Sequence, residues 1–194
     1  FEKIKIFNKK FNDKKINEIY FRGSSTSKKR SRIREKMESL SKPFNIKIGK
    51  EHVPYYCICK YKYVLDIAGT KPWSVRLIEL YISKSLPIRI QFYKKKWGED
   101  IWVQFYENMF LNKESYIGLS YNVNYDKEIS DDVITNIEKN CLTIYNHFNK
   151  KPKLFNSITN NNFEKVKKLS SDHIGYYMYN ILTKCSKLVN DQTN

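Results

Sequence analysis

Between Tyr61 and Phe92 the hydrophobic period of the chain changes twice, and that change restricts the fold more than anything else in the sequence. Tyr61 to Ala68, YKYVLDIA, is rich in aromatic and branched residues and runs into Gly69, as a buried strand entering a turn does. Leu77, Ile78 and Tyr81 then recur at helical spacing within Ser74 to Ser83, and Leu86 to Phe92, LPIRIQF, returns to a strand pattern. Strand, helix and strand in succession form a βαβ unit, whose crossover brings the two strands parallel. Ile16 to Phe21 and Ser115 to Tyr121 read as further strands. The expected class is therefore α/β: a Rossmann-like parallel sheet flanked by helices.

The helices of the second half follow from the same arithmetic. Val133, Ile134, Ile137, Cys141, Ile144, Tyr145 and Phe148 fall on one face of a helix that starts near Asp131 and ends before Pro152. Ile174, Tyr177, Met178, Ile181, Leu182, Cys185 and Leu188 do the same for a closing helix over about Asp172 to Val189. Between them, Asn149 to Asn162 contains Pro152 and an Asn run and reads as a polar connection. Earlier, Ile33, Met37 and Leu40 give the apolar stripe of a basic helix that Pro43 stops. With 194 residues and 41% hydrophobic content, one domain over residues 1–194 is the simplest organisation. No apolar run approaches the roughly 20 residues of a membrane span. The chain opens at Phe1, as expected of a fragment, a processed product or an excised domain.

The formal charge of +16 is concentrated at one end: residues 1–62 carry 18 Lys and Arg against 6 Asp and Glu, and residues 63–194 carry 18 against 14. Such asymmetry suits a polyphosphate, a nucleotide, a nucleic acid or an anionic surface. Cysteines stand at 57, 59, 141 and 185 and histidines at 52, 147 and 173, without the paired spacing of a zinc site. Buried free thiols and no metal are expected.

The basic end also carries the chain's clearest ligand signal. Tyr20 to Arg34, YFRGSSTSKKRSRIR, follows a strand with a small-residue turn, several hydroxyls and a run of cations. Gly23 is expected to take a backbone angle that other residues resist, and Ser27 to cap a helix whose first turn holds Lys28, Lys29 and Arg30. Cations at a helix start oppose the helix dipole, so a bound anion such as phosphate is the natural compensation.

FRGSSTSKKR at 21–30 resembles the FRGSRTSxxR motif of the family of protein O-glucosyltransferases and capsule-associated glycosyltransferases, which includes lipopolysaccharide-modifying enzymes. CKYKYVLD at 59–66 is similar to the family's CKYKYLFN strand, and Gly69, Ser74 and Arg76 resemble its following glycine and Ser-x-Arg turn. LYISKSL at 80–86 parallels LFLCGSL, and WVQFY at 102–106 parallels WLEFF. The resemblance runs in order over roughly residues 15–190.

The resemblance implies one lobe of a GT-B glycosyltransferase, the C-terminal, donor-binding one, within a longer chain. It implies a UDP-sugar donor and no other cofactor, with Arg22, Gly23, Ser24, Thr26, Ser27, Arg30, Gly69, Ser74 and Arg76 on the donor side. Arg30 and Arg76 would hold the diphosphate, with no metal required. The family's catalytic base lies in the N-terminal lobe, which receives the protein, lipid or glycan acceptor, so no catalytic residue is assigned in this chain. Asp66, Glu79 and Asp126 are expected to be structural or solvated. Departures from the pattern include Ser25 and Ser31 in the first motif, Gln104 in WVQFY, and a longer turn after Gly69 with Pro72 and Trp73. Two alternatives stay open: a degenerate, non-catalytic interaction protein of the same fold, and a basic nucleic-acid-binding module using Lys28 to Lys36. The second lacks any helix-turn-helix, RNA-recognition or zinc-finger signature.

Overall fold

The computed structural model describes residues 2–11, 14–23, 35–48, 54–67, 76–93, 112–122 and 130–168. The described elements are α1 (Glu2–Phe11), β1 (Ile16–Gly23), β2 (Phe44–Ile48), a 3-10 helix (Tyr55–Lys60), β3 (Tyr61–Ile67), α2 (Arg76–Ile82), β4 (Leu86–Tyr93), β5 (Ile117–Asn122), α3 (Asp131–Lys150) and α4 (Pro152–Lys167). The strands form one sheet in the order β2-β1-β3-β4-β5, and every neighbouring pair is parallel. The expected Rossmann-like α/β sheet is present, and β3, α2 and β4 form its βαβ unit.

Both faces of the sheet are covered, as a parallel sheet requires. Ile19 and Phe21 of β1, Tyr63, Leu65 and Ile67 of β3, and Leu86, Ile88 and Ile90 of β4 pack on one face. Against them lie Met37, from a helical turn over 35–38, and Ile134, Ile137, Cys141 and Phe148 of α3. The expected apolar face of α3 is therefore the buried one. On the other face Tyr20 and Val64 pack with Leu80, Tyr81 and Ile82 of α2 and with Ile58 and Cys59 of the 3-10 helix. None of the described helices is long and apolar enough to cross a membrane.

Three stretches differ from the sequence expectation. Asn149 to Asn162 is not a connection: α3 runs to Lys150 and, after Lys151 alone, α4 begins with Pro152 in its first turn, where the missing amide hydrogen costs nothing. Phe155, Ile158, Thr159, Asn162 and Val166 form its buried side. Phe155 and Ile158 belong to the first core cluster and Val166 to the second, so α4 bridges the two faces. Pro43 is followed at once by β2, a short edge strand with Phe44 and Ile46 buried. The chain also opens with α1, whose Asn8 side-chain amide donates to the Ile82 carbonyl at the end of α2. The expected closing helix, Asp172 to Val189, lies outside the described residues.

Candidate functional site

In a doubly wound sheet, the connections leaving two adjacent strands toward opposite faces open a crevice at the carboxyl ends of those strands. With the order β2-β1-β3-β4-β5, that switch point falls between β1 and β3. β1 ends at Gly23 and β3 at Ile67, and Tyr20 lies opposite Val64. Counting on from that pair puts the two strand ends level. The stretches that follow them, 24–34 and 68–75, carry most of the donor-side residues expected from sequence.

Arg22 and Gly23 form the last two positions of β1, in register with Lys47 and Ile48 of β2. Burial raises the Tyr20 hydroxyl pKa, reinforced by the neighbouring Tyr61, whereas Arg22 beside it acts in the opposite direction. Tyr20 and Tyr61 stack face to face, with ring centroids 4.1 Å apart. Gly23 needs correction: it sits in regular strand pairing rather than in a left-handed turn. Its requirement for glycine is steric, because a Cβ there would stand 2.8 Å from Cζ of the fully buried Phe21 ring. Arg76 is the first residue of α2. Ser24, Thr26, Ser27, Arg30, Gly69 and Ser74 lie outside the described residues, as do Asp126, Gln104 and His52.

Near the carboxyl end of β3, Asp66 stands in register with Arg89 of β4, and Arg89 Nε donates to Asp66 Oδ2 at 3.2 Å. The guanidinium also lies 4.9 Å from the Tyr116 ring centroid. This pair fits the structural role expected for Asp66, whose carboxylate is engaged by an arginine on the neighbouring strand. Nothing in the spacing of Asp66 and Arg89 along the chain announces the pair, because only the strand register creates it.

The amino edge is organised by a residue that sequence reasoning missed. Lys15, just before β1, donates from Nζ to the Cys59 carbonyl at 2.6 Å, the Ser83 carbonyl at 3.0 Å and Ser85 Oγ at 3.3 Å. Burial lowers its pKa to about 8, with the Cys59 thiol opposing and the Lys84 charge adding to the fall. Ser85 Oγ in turn donates to the Tyr61 carbonyl at 2.6 Å. One ammonium thus joins the starts of β1, β3 and β4.

The described cysteines are free thiols. Burial pushes Cys59 up to about 11 and Cys141 up to about 12, so both are poor nucleophiles and poor metal ligands. Among the described residues no cluster of His, Cys, Asp and Glu is arranged to hold a metal ion. No protein-family model matches the chain, and no curated protein matches its sequence.

Proposed function

We propose that the chain binds a UDP-sugar at the carboxyl edge between β1 and β3, and serves as the donor-binding lobe of an inverting, metal-independent glycosyltransferase of GT-B architecture. The observation that carries this reading is the parallel order β2-β1-β3-β4-β5, whose switch point coincides with the ends of the two strands that lead into the FRGSSTSKKR and Gly69–Arg76 motifs. A smaller observation supports it. Lys84, at the glycine of the resembled LFLCGSL segment, has a φ of 54°, the left-handed backbone that favours glycine after a helix.

On this reading Arg30 and Arg76 arrive from separate strand-to-helix connections and grip the diphosphate through directed, charge-assisted hydrogen bonds. Holding the departing diphosphate lowers the barrier to sugar transfer. The base that deprotonates the acceptor hydroxyl belongs, as in the resembled family, to the other lobe. The acceptor is a hydroxyl of a protein, lipid or glycan.

Calorimetric titration with UDP tests the reading, with UMP and a mixed-sequence oligonucleotide as controls. Arg30→Ala and Arg76→Ala should each weaken UDP binding at least about tenfold, the low end for a hydrogen bond to a charged group. Unchanged affinity in both variants would remove the proposal. Salt-sensitive binding of the oligonucleotide in place of UDP would favour the nucleic-acid reading.

A further inference from the structure

The amino edge of the sheet, opposite the proposed nucleotide crevice, contains a cavity of about 320 Å³ lined by residues of β3, the end of α3 and the first turns of α4. Its charged side chains, Lys15 and Lys62, are both cations. Lys62 has no hydrogen-bond or ion-pair partner among the described residues. Asn149 is oriented by the buried Tyr63 hydroxyl, which donates to Oδ1 at 3.0 Å and so leaves the amide nitrogen as the free end. Asn156, one turn into α4, presents a second side-chain amide. Lys15 also lines the cavity, and its ammonium is bound to neutral oxygens, so its positive charge is fixed there without a described carboxylate to cancel it. The remaining wall, Phe148, Pro152 and Phe155, is apolar.

We propose that this cavity is a second anion site, taking a phosphate monoester whose organic part rests on the Phe148, Pro152 and Phe155 wall. The Asn149 amide held by Tyr63, the Asn156 side chain and the Lys62 and Lys15 ammonium groups match the oxygens of a phosphate and repel a cationic ligand. The volume exceeds what a bare ion needs and falls at the small end of the range for organic ligands, about 300–1,000 Å³. The site is independent of the nucleotide reading, since none of its residues belongs to the carboxyl edge.

The probes are inorganic phosphate and phenyl phosphate, titrated calorimetrically into the full chain. Phenyl phosphate should bind more tightly than inorganic phosphate. Lys62→Ala and Asn156→Ala should each weaken it about tenfold, Lys62→Glu should abolish it, and Arg76→Ala should leave it unchanged. Because Lys62 has no described partner, its variants should unfold at the same urea concentration as the parent, which separates a lost site from a lost fold. Equal affinity in Lys62→Glu and the parent, loss of binding in Arg76→Ala, or no binding of phenyl phosphate would overturn the proposal.

Discussion

Asp66 and Arg89 lie level on adjacent parallel strands, joined by a 3.2 Å bond from Nε to Oδ2, with side chains only 16% and 11% exposed. Removing one member of so enclosed a pair leaves the other charge without its partner. Asp66→Ala should therefore destabilise the protein by about 2–3 kcal/mol. Replacing both with apolar residues should cost much less than the sum of the single changes. Urea unfolding of the two single variants and the double variant measures that difference, and additive costs would show that the pair does not act as a unit.

Lys15 gives the stability a specific pH dependence. Its pKa falls from the ordinary 10.5 when unfolded to about 8 when folded. Between those values the unfolded chain binds more protons, so this residue adds stability as pH rises from about 8 to 10.5. The full gain is roughly 3 kcal/mol. Unfolding midpoints of the parent and Lys15→Met, compared at pH 7 to 10, should diverge in favour of the parent as pH rises. Parallel curves would mean that the ammonium is not held as described.

Gly23 and Phe21 should behave as one packing unit. Gly23→Ala places a methyl against the Phe21 ring and should cost about 1–3 kcal/mol, the usual range for overpacking. Adding Phe21→Leu should recover part of that loss by removing the ring atoms the methyl meets. If the double variant is simply worse by the sum, the contact is not the cause.

Two of the described lysines hold left-handed backbone, Lys84 at φ 54° and Lys113 at φ 68°. Lys113 is exposed, and Lys113→Gly should raise stability by about 1 kcal/mol through relief of backbone strain. Lys84→Gly should gain less, because Lys84 Nζ lies 5.0 Å from the Phe163 ring centroid and that contact is lost. Thermal unfolding of the two variants should rank them in that order.

The parts of this fold that were readable in the sequence are those in which one chemical pattern dominates. Val64, Leu65 and Ile67 are buried in a sheet covered on both faces, and their clustering of branched and apolar residues, interrupted only by Asp66, showed it. The inward stripe of α3 was equally plain. α4 was hidden by its asparagines: Asn162 is fully buried and donates to the Ser115 carbonyl, a position where composition suggests a loop and a tertiary contact supplies a helix. β2 was too short, at five residues, to declare itself after Pro43.

The sites divide in the same way. Arg22 and Arg76 drew notice through motifs at strand and helix boundaries. Lys15 has no motif, because its partners Cys59 and Ser83 stand 44 and 68 residues away and meet it through backbone carbonyls, which no residue type advertises. The cavity beside it, built from Lys62, Asn149 and Asn156, was out of reach for the same reason.

Those separations also govern the order in which the protein becomes itself. Closing a chain segment of such length is entropically costly, and contacts of this kind slow folding. As the chain leaves the ribosome, Lys15 emerges long before the Ser83 carbonyl exists, so β1 spends that interval without the bond that joins it to β4. Once Ser83 and Ser85 have emerged the amino edge can close, while β5 is still unmade, so β1, β3 and β4 are tied together before the sheet receives its last strand.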